Sequence, residues 1–70
     1  MHQPDRLIRR PEVRQITGLT NSVIDRAVKA GTFPRPVPLL PDERCRAVGW
    51  SFLAVQQWVA DRLASGKEAA

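Results

Sequence analysis

The residues with the most to offer chemically are Asn21, Ser22, Asp25, Arg26 and Lys29. At about 100° per residue they fall on one arc of a helix, with Val23, Ile24, Ala27 and Val28 on the opposite arc. Carboxamide and guanidinium groups on a free helix face suit the edges of nucleic-acid bases. Arg26 has the fork that binds guanine O6 and N7 together, and Asn21 the amide that pairs with adenine. Lys29, and Arg14 upstream, suit phosphate oxygens, which position a duplex without specifying its sequence. The plainer alternative for each is a solvated helix face or, for Asn21 and Ser22, a helix cap. No nucleophile–base or acid pair is set up by spacing, so no catalysis is expected. Cys45 and His2 have no partner at metal-ligand spacing, so neither a metal nor another cofactor is expected.

Such an arc is useful only if the chain holds the helix by its other side. Thr20 is suited to cap that helix, since its hydroxyl can accept from an unpaired amide, and Gly31 to stop it. Ser22 and Asp25 also have capping-box spacing, but a start there leaves a very short helix. An earlier helix opens at Pro11, where a missing N–H costs nothing, has Glu12 in its first turn, and ends at Gly18. Val13 and Ile16 can face the second helix, with Leu19 plugging the space between. Two short helices around a tight Gly-containing turn read as a helix-turn-helix, whose second helix, Thr20–Ala30, enters the DNA major groove. Helical hairpins without DNA binding are also common. A protein-interaction module that uses the pair only as a scaffold therefore stays open.

Residues 1–5 read as a flexible tail and Arg6–Arg10 as a short extended piece anchored by Leu7 and Ile8. Its basic pair, Arg9 and Arg10, is either solvated or within reach of phosphate. Thr32–Pro38 is a stiff connector whose alternating prolines confine any strand there to a sheet edge; Phe33 tucks beneath it. Val37–Leu40 and Arg46–Trp50 are expected as two strands around the turn Pro41–Cys45, flanked by Arg44 and Arg46. Gly49 marks a bulge or a close backbone approach. Ser51 is expected to cap a third helix, Phe52–Ala64, with Val55, Trp58, Val59 and Arg62 on one stripe and Gly66 as its stop. Both tryptophans are assigned to the core. The expected fold is mainly α with a small β-hairpin: three helices plus a wing over residues 6–64, with 65–70 as a frayed tail.

Composition sets the outer bounds. Seventy residues make one small domain with a modest core. Lys and Arg total 11 against 7 Asp and Glu, a formal charge of +4, which favours polyanions. The single cysteine excludes an internal disulfide, and no secretory or membrane-spanning segment is evident, so a cytoplasmic location is expected.

Three stretches carry a resemblance: RLIRRPEV (Arg6–Val13), TGLTNSVIDRAVKAGTFPRPV (Thr17–Val37), and RAVGW followed by VQQWVADR (Arg46–Trp50 and Val55–Arg62). In order and approximate spacing the chain resembles the AlpA family of small prophage-type transcriptional regulators, within the broader MerR-like winged-helix class that includes excisionases. The resemblance implies a double-stranded DNA-binding regulator of phage or mobile-element genes, with integrase or RNA polymerase as further partners. An excisionase-like architectural role is its near variant. By position, Thr20, Asn21, Ser22, Arg26 and Lys29 sit on the recognition helix, and Arg44 and Arg46 on or beside the wing. Two features depart from the family. Asp25 stands where an aromatic residue is frequent, leaving it to accept from a cytosine amino group, to cap the helix, or to pair with Lys29. The turn carries Asp42 and Glu43 where family wings are often shorter and more basic. Monomer and homodimer both remain open.

Overall fold

Short-range punctuation sets the first two helices. In the computed structural model, which describes residues 4–42, 44 and 46–69, β1 (Leu7–Ile8) leads into α1 (Arg10–Thr17) and α2 (Asn21–Ala30). Both helices end at a glycine in the left-handed region, Gly18 at φ 75° and Gly31 at φ 79°. Each glycine N–H returns to a carbonyl of the last turn, Gly18 to Arg14 and Gly31 to Val28. Thr20 caps α2 as expected, its Oγ1 accepting from the Val23 amide at 3.3 Å. Pro11 lies in the first turn of α1, which starts at Arg10.

The chain then forms β2 (Val37–Pro38), β3 (Val48–Ser51) and α3 (Phe52–Ala69). The strands make an antiparallel sheet in the order β1-β3-β2. Ile8 pairs with Trp50 and Leu7 with Ser51 on one side of β3, while Val37 pairs with Gly49 and Pro38 with Val48 on the other. Pro38 thus lies in an outer strand, where a residue without an N–H leaves no inner ladder unpaired. The hairpin strands are shorter than their apolar runs suggest, although Leu39 N–H still reaches the Ala47 carbonyl at 3.0 Å. Gly49 is a close approach: a Cβ there would sit 2.8 Å from Leu39 Cδ2 and 3.1 Å from the Ile8 carbonyl oxygen. The part of the wing turn formed by Glu43 and Cys45 lies outside the described residues, as do Met1–Gln3 of the tail.

Six segments each send one side chain to the core: Ile8, Val13, Ile24, Phe33, Trp50 and Val55. Ile16, Leu19, Ala27, Val28 and Trp58 close around them. Both tryptophans pin the connector after α2. Trp50 Nε1–H donates to the Pro34 carbonyl at 2.9 Å and Trp58 Nε1–H to the Thr32 carbonyl at 2.8 Å. Phe33 lies edge-on to Trp58, ring centroids 5.0 Å apart. An indole N–H removed from water needs such a partner, and here the partners are carbonyls of a proline-rich segment poor in ladder hydrogen bonds. The end of α2 is thereby fastened to β3 and α3.

Two expectations at the chain ends need correction. The third helix does not stop near Ala64; it continues through Gly66 to Ala69. Gly66 is not left-handed, and a helical glycine costs only about 1 kcal/mol relative to alanine, too little to end a helix followed by Lys, Glu and Ala. The buried stripe ends earlier than the helix: Val55 is buried and Val59 half-buried, while Arg62 and Leu63 are exposed.

Asp5 is not part of a loose tail. Its carboxylate accepts from the Ser51 hydroxyl and from the Leu53 amide, tying the chain start to the N-terminus of α3. Ser51 in turn caps that helix, its Oγ accepting from the Ala54 amide at 3.1 Å. The Ser51 hydrogen bond, followed by that of Leu53, holds the Asp5 carboxyl below its ordinary value. A lowered folded-state value means stabilisation that is complete above the unfolded value, about 3.9, and is lost as pH falls through the folded one. Asp5→Asn is therefore expected to lower the melting temperature at neutral pH, with the gap to wild type closing in acid. Thermal denaturation followed by circular dichroism at both pH values checks this; a gap that does not change with pH would remove the carboxylate from the cap.

Candidate nucleic-acid interface

The docking of Ile24 into the core decides which side of α2 faces outward. Ile24 is fully buried and Val23, Ala27 and Val28 are half-buried, so Asn21, Ser22, Asp25, Arg26 and Lys29 are all exposed. Thr20 is exposed as well, with its oxygen committed to the cap. Arg14 lies on the exposed side of α1 and lines a hollow of about 440 Å³ with Gly18, Leu19 and Thr20 at the turn between the helices. The structure thus brings Arg14 beside the start of α2. Arg44 and Arg46 are exposed on the wing, Arg44 in a turn where its amide donates to Asp42 Oδ1 at 2.9 Å.

The basic residues divide by their partners. Arg6 is occupied: Nη2 meets Glu12 Oε2 at 2.6 Å, and its guanidinium lies 4.4 Å from the Phe52 ring centroid. The Glu12 hydrogen bond raises the Arg6 pKa further. Arg10 is occupied too, by Asp25. By contrast, Arg14, Arg26, Lys29, Arg44 and Arg46 form no ion pair with an acid among the described residues. Their charge faces solvent and adds to the outward field of the surface.

Asp25 is the position where the sequence leaves three roles open, and its neighbour turns out to lie elsewhere in the chain. It pairs with Arg10, Nη1 to Oδ1 at 3.0 Å, and not with Lys29 one turn along α2. The Arg10 guanidinium lies 5.3 Å from the Trp50 ring centroid, so core packing sets its direction. Arg10 Nη1 is itself buried and not aligned for a hydrogen bond, which makes the contact with Asp25 an electrostatic one. The Asp25 side chain is 65% exposed, and a pair this open contributes about 0–1 kcal/mol to stability. Its consequence is local: the negative charge on the outward face of α2 has a cation beside it. No spacing signal announces this pair, since its members belong to different helices.

A helix-turn-helix followed by a β-hairpin and a third helix, with the second helix outward, makes a mainly helical domain consistent with the winged helix-turn-helix type. The chain belongs to the family described as Prophage CP4-57 regulatory protein (AlpA), whose model matches residues 6–63. That span runs from the start of β1's approach to the exposed part of α3. No curated protein and no solved structure matches the chain. The family is one of prophage regulatory proteins. Among the described residues no helix is long and apolar enough to cross a membrane.

Proposed function

We propose that this chain is a sequence-specific double-stranded DNA-binding regulator of phage or mobile-element genes, with α2 in the major groove. The observation that carries this reading is the outward arc of α2, where Arg26 and Lys29 stand exposed without an acidic partner among the described residues. Arg26 reads guanine and Asn21 adenine near the helix N-terminus, where recognition helices meet base edges. Ser22 and Thr20 flank them. Lys29 and Arg14 hold phosphate on the two sides of the helix-turn-helix, and Arg44 and Arg46 approach the backbone from the wing. The domain acts without catalysis, by occluding a promoter or recruiting RNA polymerase or an integrase to it.

Fluorescence anisotropy tests this directly. The purified chain is titrated against the duplex upstream of its own gene and against a scrambled duplex, at two salt concentrations. The expected result is tighter binding to the upstream duplex at both, with log affinity falling by about 0.9 per phosphate contact for each unit of log salt. Equal, salt-sensitive binding to both duplexes would replace a specific regulator with an architectural, excisionase-like factor. No binding by folded protein would overturn DNA recognition in favour of a protein-interaction module.

A further inference from the structure

Arg9, Arg10 and Arg46 line a single groove of 410 Å³ whose wall includes Val48 and Trp50. They come from two distant places: Arg9 and Arg10 from the junction of β1 and α1, Arg46 from the return of the wing into β3. Only Arg10 has an acidic partner among the described residues, and that is Asp25. Arg9 and Arg46 are exposed and form no ion pair among the described residues. Gathering like charges around one hollow is unfavourable until an anion occupies it.

We infer that this groove seats a backbone phosphate of the duplex, held by Arg9 and Arg46, with Arg10 as the link to α2. The inference rests on the DNA-binding reading above. Guanidinium forks match the geometry of phosphate oxygens, and a weakly hydrated arginine gives up less on contact than a lysine. The Arg10–Asp25 contact joins the groove to α2. Asp25 belongs to the outward arc of α2, and Arg10 both lines the groove and touches Asp25, so the groove lies beside that arc. A duplex whose major groove receives α2 runs a phosphodiester strand along such a flank. Arg10 acts there as a positioning residue: beside Asp25 it offsets the one negative charge on the arc, which would otherwise repel the strand.

The test pairs a duplex measurement with a simple anion. The double variant Arg9→Gln/Arg46→Gln changes two exposed side chains, and circular dichroism checks that its fold is retained. Its anisotropy titrations are compared with wild type on the upstream and scrambled duplexes over a range of salt. The expected result is a log–log salt slope shallower by about one to two units. The ratio between the two duplexes stays the same, because phosphate contacts carry no base information. In parallel, wild type is titrated with inorganic pyrophosphate while the arginine Nε–H signals are followed by NMR; those of Arg9 and Arg46 are expected to shift most.

Duplex binding with an unchanged salt slope would overturn the phosphodiester seat and leave the DNA-binding reading standing. If pyrophosphate still shifts Arg9 and Arg46 in that case, the groove takes free phosphate instead; if it does not, the groove holds no phosphate at all. Failure of wild type to bind any duplex would overturn the DNA-binding reading itself, and the phosphodiester occupant with it.

Discussion

Reversing the charge of Arg26, in Arg26→Glu, is expected to lower duplex affinity by about 100-fold while leaving the fold intact. One bidentate arginine–guanine contact is worth about 1–3 kcal/mol, and every 1.4 kcal/mol is roughly tenfold. The introduced carboxylate adds repulsion from the phosphates to that loss. The fold is spared because Arg26 is exposed and forms no ion pair among the described residues, so removing it orphans nothing in the core. Arg26→Gln separates the two contributions. It removes the guanidinium without adding negative charge, and should relax the preference at one base position more than it weakens binding overall. Anisotropy with single-base duplex variants reads both effects. If Arg26→Glu binds the upstream duplex as wild type does, α2 is not the reading element.

Trp50→Ala is expected to remove most of the stability of the domain. Large aromatic-to-alanine changes in a core cost about 3–5 kcal/mol, while a chain this short holds only about 0.05–0.15 kcal/mol per residue in total. Trp50 is 1% exposed and stands where β3 is flanked by both other strands. Three things go with it: the packing against the core, the hydrogen bond to the Pro34 carbonyl, and the surface on which Arg10 rests. Trp50→Phe isolates part of this. It keeps a ring but leaves Pro34 without its donor, a loss of about 1–3 kcal/mol where the carbonyl stays buried. Urea denaturation followed by far-ultraviolet circular dichroism orders the three proteins: wild type, then Trp50→Phe, then Trp50→Ala. An alanine variant with the wild-type midpoint would show that the core does not depend on this indole.

The candidate interface was legible where its signals are local. Thr20, Pro11, Gly18 and Gly31 act within a turn of their own position, and the amphipathic pattern of α2 needs only the helical period to sort its faces. For that reason both helices of the helix-turn-helix, their caps and the outward arc follow from reading along the chain. The end of α3 is not marked in the sequence because a lone glycine is a weak stop: its helical cost is small, and Gly66 is not left-handed. The wing strands are shorter than their apolar runs because such a run marks material fit for a strand, whereas pairing partners set its ends.

What no pattern along the chain could supply are the contacts between residues far apart in it. Asp5 reaches Ser51, Arg10 reaches Asp25, and the Arg9–Arg10 pair meets Arg46 across a shared groove. The first two are direct polar contacts and the third a shared lining, and all three depend on distance in space, which local periodicity does not encode. Chain order alone therefore settles that two capped helices, one apolar face and a basic outward arc exist. Tertiary packing, with Trp50 joining sheet, connector and the Arg10 side chain, decides which charges on that arc are neutralised and which remain free for a partner.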